Sequence, residues 1–211
     1  MNRVQLPVCN RCAIHFKHTP ISCRNRKAIP AFRVSVTIGR CFAGASLPIV
    51  PPMNHVGIGY DVHPLRAGRK LIVGGVEIPH PTGLDGHSDA DVLMHAICDA
   101  VLGALGEGDI GTFFPNTDPR WQGSASKVFL EEAARQVAFH NGTIANIDAT
   151  VMAEQPKIFP HVFNMKAHIA AALNINVRRV GIKATTNEHL GFIGRGEGIA
   201  AMAVASVDLP E

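Results

Sequence analysis

Residues 57–63, GIGYDVH, decide how the rest of the chain is read. The segment follows an apolar flank and reads as a strand, and a strand turns residues i and i+2 to one face. Asp61 and His63 therefore point the same way, a carboxylate beside an imidazole. Further along, SDADVLMHAICDAVLGALG (88–106) carries Val92, Leu93, Ala96, Ile97, Ala100, Val101 and Ala104 at helical spacing, a wide apolar surface. Against it, Asp91, His95 and Asp99 fall at i, i+4 and i+8. A polar stripe on a mostly buried helix needs partners, because each unpaired buried polar group costs roughly 1–3 kcal/mol.

Asp61, His63 and His95 together offer three O/N ligands with a fourth position open, the arrangement of a catalytic zinc site. A plainer reading stands beside it. A lone Asp-x-His is common, and a histidine on an apolar helix is ordinarily a hydrogen-bonded core residue. The spacing leaves both open.

Composition divides the chain near residue 55. Residues 1–54 contain no Asp or Glu and eight Lys or Arg, with four of the five cysteines. That leaves 12 of the 20 basic residues against all 17 acidic ones in the remainder, so the overall charge of +3 describes neither part. An acid-free, Arg-rich leader without a clear apolar core resembles an organelle transit peptide rather than a secretory signal, and a soluble plastid-type stroma is the expected destination. Its few serines weaken the plastid reading, and a nucleic-acid-binding arm competes, although interleaved aromatics and dense charge are missing. Cys9 and Cys12 with His15 and His18 imitate a zinc knuckle, but the spacing is too short for a finger that encloses a helix. Cys98 alone stands in the body, so no disulfide is available there and a reducing interior is expected. No run of 18 apolar residues occurs, which argues against a membrane partner.

From residue 55, strands are expected at about 55–61, 71–78, 144–154, 179–185 and 198–207, with helices at about 89–105, 124–140 and 160–173. The segment GDIGTFFPNTDPRWQG (108–123) has no periodicity and reads as a long functional loop. The alternation predicts an α/β fold of layers, a mixed β-sheet with helices packed on one face. The last strand, GIAAMAVASVDL, is apolar on both faces, which calls for burial against another subunit. Three further segments suit anionic oxygen. His87 and Ser88 precede a helix start, where free N–H groups favour phosphate. ATTNE (184–188) sets hydroxyls and a carboxylate at a strand end, and Arg195 lies among glycines in GFIGRGEG (191–198). Each has an ordinary alternative: an N-cap, β-favouring threonines, a turn arginine.

Taken in order, GIGYDVH, HSDADVLMHAICDA, GDIGTFFPNTDP, AEQPKIFPH and KATTNEHLGFIGRGEGIA closely resemble the 2-C-methyl-D-erythritol 2,4-cyclodiphosphate synthase family, from about residue 55 to 207. The resemblance implies two regions, a leader over 1–54 and a synthase domain over 55–211. It implies a substrate, 4-diphosphocytidyl-2-C-methyl-D-erythritol 2-phosphate, whose 2-phosphate attacks the β-phosphorus and releases CMP. It implies Zn2+ held by Asp61, His63 and His95, and a second ion, Mg2+ or Mn2+, held by Glu188. His87 and Thr186 match the positions that stabilise the transition state.

Substrate contacts fall, by the same resemblance, on Asp61, Val62, His63, His87 and Ser88; on Asp109, Ile110 and Gly111; and on Phe114, Pro115, Asn116, Thr117 and Asp118. The cytidine stretch matches Ala153, Glu154, Gln155, Pro156, Lys157, Ile158 and Phe159. Thr185, Thr186, Asn187, Glu188, Phe192 and Arg195 complete the set. Asn116 stands where the family often has Asp, and Glu154 and Gln155 lie in a variable part. Asp91 and Asp99 are expected to orient the metal ligands by hydrogen bonds, with charge compensation at the helix start an equal alternative for Asp91. Family sites lie between subunits of a homotrimer. Two other classes remain in play: a metal-dependent phosphohydrolase, and a trimer that binds a prenyl diphosphate near Arg195 and Glu197.

Overall fold

The computed structural model describes residues 52–115 and 117–210. Residues 1–51 of the leader, including Cys9, Cys12, His15 and His18, and Asn116 lie outside the described residues, while Met53 and Asn54, assigned to the leader by sequence, open the first strand. Five strands form one mixed sheet in the order β4 (Thr82–Leu84), β1 (Met53–Ala67), β7 (Gly198–Leu209), β5 (Thr143–Met152), β6 (Val180–Thr185). All neighbours are antiparallel except β5 and β6, which run parallel.

Helices α1 (Val92–Leu105), α3 (Lys127–Phe139) and α4 (Val162–Leu173) supply the apolar surfaces that cover one sheet face. Leu93, Met94, Ile97 and Leu102 of α1, Leu130 of α3 and Met165 and Ile169 of α4 are fully buried with Ile147 and Ile199 of the sheet. Among the described residues, nothing covers the opposite face. Val56, Ile58, Tyr60 and Val62 of β1 and Met202 and Val204 of β7 stand on it, with Ile58 66% exposed. Strand alternation therefore holds in β7 as well: Ile199, Ala201, Ala203, Ala205 and Val207 pack inward while Met202 and Val204 face out. Among the described residues, no helix is long and apolar enough to cross a membrane.

Three sequence expectations need correction. Residues 71–78 are a hairpin rather than one strand, β2 (Leu71–Val73) pairing with β3 (Val76–Ile78). Gly74 and Gly75 turn the chain with φ of 58° and 73°, and positive φ at both central positions is what a two-residue hairpin loop requires. Helix α1 starts at Val92, not 89, because Asp91 caps it: its carboxylate accepts from the Leu93 and Met94 N–H groups. The loop at 108–123 contains a one-turn α2 (Ile110–Phe113) and a 3-10 turn at Pro119–Trp121. An aromatic cluster fastens that loop, with Phe114 4.5 Å from Phe129 and 4.9 Å from Trp121 between ring centroids.

Candidate metal centre and diphosphate site

Gly57, Gly59, Asp61 and His63 share the face of β1 that α1 covers. A Cβ on Gly57 would stand 2.1 Å from the Ala100 carbonyl oxygen, and one on Gly59 would stand 2.0 Å from that of Ala96. Neither distance is tolerable for a side chain, so the two glycines let the helix backbone lie directly on the strand. That contact fixes where His95 arrives. Its Nδ1 lies 2.9 Å from Asp61 Oδ2 and 3.2 Å from His63 Nε2, while His63 Nε2 is 3.0 Å from the same carboxylate oxygen.

The three atoms form a nearly equilateral triangle. Ligand atoms set about 2.0–2.1 Å from a tetrahedral zinc are about 3.3 Å from one another, close to the spacing found. Among the described residues, this is the one group of His, Cys, Asp or Glu side chains whose ligand atoms converge in this way. The donors are one carboxylate and two imidazoles, a set that suits zinc.

Both imidazoles are held by their other nitrogen. His63 Nδ1 lies 2.9 Å from the Asp85 carbonyl oxygen, so the neutral ring carries its proton on Nδ1 and turns the Nε2 lone pair to the triangle. His95 Nε2 lies 2.8 Å from Ser126 Oγ and 3.2 Å from Ser88 Oγ, leaving Nδ1 for the triangle. Burial pushes the Asp61 carboxyl up, but the two imidazoles beside it, His63 and His95, favour the ionised form more strongly and hold the group well below the usual carboxylate range. Burial pushes His63 down, and the Asp61 carboxylate more than reverses this, so His63 holds its proton above its ordinary range.

The expected phosphate site at the start of α1 does not form. The N–H groups of Ala90, Asp91, Leu93 and Met94 already donate to the Ser88, Asp89 and Asp91 side chains. Asp91 is fully buried and also accepts from Gly74 and Gly75, so it fastens the hairpin to the helix; its partners are backbone groups, not metal ligands. Asp99 accepts from the Ile110 N–H at 2.7 Å and so holds the start of the loop; burial raises its pKa. Asp109 caps α2 through Thr112. Ser88 is buried, whereas His87 is exposed with Nε2 3.4 Å from the Asp118 carbonyl oxygen. Val62 points to the bare sheet face, away from the triangle. Pro115 and Thr117 are exposed, and Asp118 is paired with Arg120.

A second group gathers past β5 and β6. The Ala153 N–H donates to the Thr185 carbonyl oxygen, joining the cytidine stretch to ATTNE. Ala153 and Ile158 are core residues, while Gln155, Lys157 and Phe159 are exposed. Glu154 accepts from the Asn187 N–H and pairs with His189, bracing a turn in which Glu188 and His189 have φ of 51° and 61°. Left-handed backbone at two consecutive non-glycine residues is strained, so the turn needs the bracing that Glu154 gives it. Thr186 Oγ1 donates to Glu188 Oε1 at 3.1 Å, and Arg195 pairs with Glu197. The register places Asp61 beside Ala201, Ala201 beside Val151 and Val151 beside Ala184. Three strand spacings, about 14 Å, thus separate the triangle from the strand that leads to Thr186 and Glu188.

Sequence reasoning missed Ser126 and the bond that Asp89 makes to it, along with the packing task of Gly57 and Gly59. A Gly-x-Gly ahead of Asp-x-His could have suggested the last. Nothing marked Ser126, which in sequence is one more serine near a helix start.

Residues 54–208 match the YgbB family. A 2-C-methyl-D-erythritol 2,4-cyclodiphosphate synthase of Geobacter sulfurreducens is 59% identical over 156 residues, covering 72% of this chain and 98% of the relative. A bifunctional IspD/IspF enzyme of Sphingopyxis alaskensis is 56% identical over 156 residues, 74% of this chain but only 40% of that longer protein. Among solved structures, IspF of Plasmodium falciparum in complex with CDP is 34% identical with a TM-score of 0.66, over 75% of this chain and 97% of that one. Sequence identity, coverage and fold agree: the chain belongs to the YgbB family, that of the 2-C-methyl-D-erythritol 2,4-cyclodiphosphate synthases.

Proposed function

We propose that this chain converts 4-diphosphocytidyl-2-C-methyl-D-erythritol 2-phosphate to 2-C-methyl-D-erythritol 2,4-cyclodiphosphate and CMP, a step toward isoprenoid precursors. The observation that carries the reading is the Asp61–His63–His95 triangle, inside a chain of which 72% matches 98% of a synthase. In the reaction the 2-phosphate oxygen bonds to the β-phosphorus, and the bond from that phosphorus to the bridging α-oxygen breaks. No water or protein nucleophile enters. The obstacle is charge, because anionic groups a few Å apart repel by several kcal/mol outside bulk water. Zinc, held by Asp61, His63 and His95, would supply Lewis acidity toward the diphosphate.

The protein's own groups position and neutralise. His87, exposed on the rim beside the 114–118 loop, donates to the transferring phosphate, and the Thr186 hydroxyl serves the other side. Glu188 would hold Mg2+ or Mn2+, which would neutralise charge on the diphosphate. Phe114 to Asp118 and Asp109 to Gly111 border the erythritol moiety; Ala153 to Phe159, with Lys157 exposed, border the cytidine. The structure solved for the Plasmodium relative contains CDP, a fragment of the same chemistry.

The proposal extends to a homotrimer with sites between subunits. Groups about 14 Å apart across one sheet cannot meet on a single diphosphate, whereas a neighbour's Thr186 and Glu188 can approach this chain's triangle. The bare apolar stripe of β1 and β7 gives that neighbour a surface to bury. Residues 1–54 are proposed to be a transit peptide directing the domain at 55–211 to a plastid or related organelle.

Phosphorus NMR of the cytidylated substrate incubated with the purified chain and both metals tests the reaction. A cyclic diphosphate appearing with equimolar CMP is expected. Release of inorganic phosphate instead would replace the cyclase with a hydrolase.

A further inference from the structure

We infer that Ser126 and Asp89 form a positioning relay that fixes which nitrogen of His95 is free to bind metal; the inference rests on the metal reading of the triangle. Ser126 occupies the N-cap of α3, where a serine ordinarily accepts from the helix's first N–H groups. Here it makes no such cap bond. Its side chain is fully buried and turns inward, with Oγ 2.8 Å from His95 Nε2. Its hydroxyl hydrogen is directed to Asp89 Oδ1, and its backbone N–H donates to Asp89 Oδ2 at 3.0 Å.

The direction of these bonds carries the argument. A free serine hydroxyl could either donate to a neutral imidazole nitrogen or accept from it. Donation would leave His95 Nε2 unprotonated and put the proton on Nδ1, facing Asp61 Oδ2 at 2.9 Å, where it blocks the ligand position. Asp89 removes that choice. An ionised carboxylate only accepts, so the Ser126 hydrogen goes to it, and Ser126 Oγ can then only accept from His95 Nε2–H. Ser88 Oγ, which accepts from the Ala90 N–H, lies 3.2 Å from the same nitrogen, a longer contact than that of Ser126. His95 Nδ1 is thereby presented with its lone pair toward His63 and Asp61. His63 reaches the same end by a simpler route, a single backbone carbonyl. The strand ligand is oriented by the main chain, and the helix ligand by a side-chain relay rooted in the start of the next helix.

Neither residue touches substrate in this scheme; both act through His95. The test measures zinc affinity by chelator competition and His95 ring tautomer by 15N–1H long-range NMR, on the full chain, with Ser126→Ala and Asp89→Asn. A His63→Ala variant sets the background of zinc held elsewhere, including by leader cysteines. Ser126→Ala is expected to weaken zinc binding about 10–100-fold, the usual effect of losing a ligand's outer partner. Asp89→Asn keeps the shape but offers an amide to the Ser126 N–H, and is expected to weaken binding as well. In both, metal-free His95 should shift toward the Nδ1–H tautomer. Zinc affinity within threefold of the parent and an unchanged tautomer in either folded variant overturns the relay. A parent chain that binds no more zinc than His63→Ala overturns the metal reading itself, a separate result. If Ser126→Ala does not fold, the outcome for Asp89→Asn decides.

Discussion

Protons and metal compete for the same three atoms, and the competition should be visible in stability. Without metal, Asp61 is depressed, so its contribution is present above the unfolded aspartate value near 3.8 and fades as pH falls through its lowered folded value. His63 is raised, so its contribution is complete below 6.5 and is lost as pH climbs through its folded value. The metal-free protein should therefore lose stability as pH rises above 6.5 through the raised folded value of His63. Zinc requires neutral imidazoles, so the loaded protein should gain over the same range. Thermal melts with chelator and with zinc are expected to slope in opposite directions, and parallel slopes would mean that His63 and Asp61 do not hold the ion. Glu188 offers a second check at this scale. Glu188→Gln keeps the shape but removes the charge that holds a hard cation, so turnover should drop at least tenfold and recover in part at high magnesium. Zinc content should be unchanged; its loss would move Glu188 into the zinc set. The residues of the triangle were legible in sequence because a two-residue and a helical period place them on defined faces. The direction of a hydrogen bond through Ser126 has no such period and needed coordinates.

At the scale of elements, β1 and α1 meet through glycine. Gly59→Ala would press a methyl group into the Ala96 carbonyl, and relief requires the helix to lift. The expected cost is about 1–3 kcal/mol, with a matching fall in melting temperature. Because His95 adjoins Ala96, zinc affinity should fall too, and titration of the folded variant checks this; unchanged affinity would show that the helix can lift without moving His95. Most elements could be read from periodicity, and the long helices were found within a few residues. The hairpin at 71–78 was not, since two three-residue strands are too short to show a period and only the Gly-Gly pair announces the turn. Strand β4 was missed for the same reason. Helix α1 was set too early because Asp89 and Asp91 resemble first-turn acids, whereas one binds Ser126 and the other caps the helix and clasps the hairpin.

For the whole molecule, the bare sheet face is the feature that a monomer leaves unexplained. Ile58→Asp on that face disturbs no packing within the chain, since Ile58 is 66% exposed. Light scattering should find the parent as a trimer and Ile58→Asp as a smaller species, with activity lost and the single-chain fold kept by circular dichroism. A parent that is monomeric yet active would end the shared-site proposal. Sequence supplied the existence of this face through the two-sided apolarity of the last strand, but β1 carries the larger part of it, and that was hidden because its inward glycines break the usual alternation of polar and apolar residues.

Strand β1 carries two messages on alternating residues. One parity, Gly57, Gly59, Asp61 and His63, faces the helix and the ion; the other, Val56, Ile58, Tyr60 and Val62, faces outward. They share a reading frame. A single inserted residue between Gly59 and Asp61 would exchange the faces beyond it, sending the carboxylate and imidazole outward and Tyr60 or Val62 inward. Two inserted residues would restore the parity but carry the ligands about 6.8 Å along the strand, more than a helical turn past His95. Within 57–63, point changes at outward positions remain possible while changes of length do not. An inserted residue is expected to be tolerated instead at Gly68, just beyond the strand, where the glycine has open space around it and a positive φ of 78°.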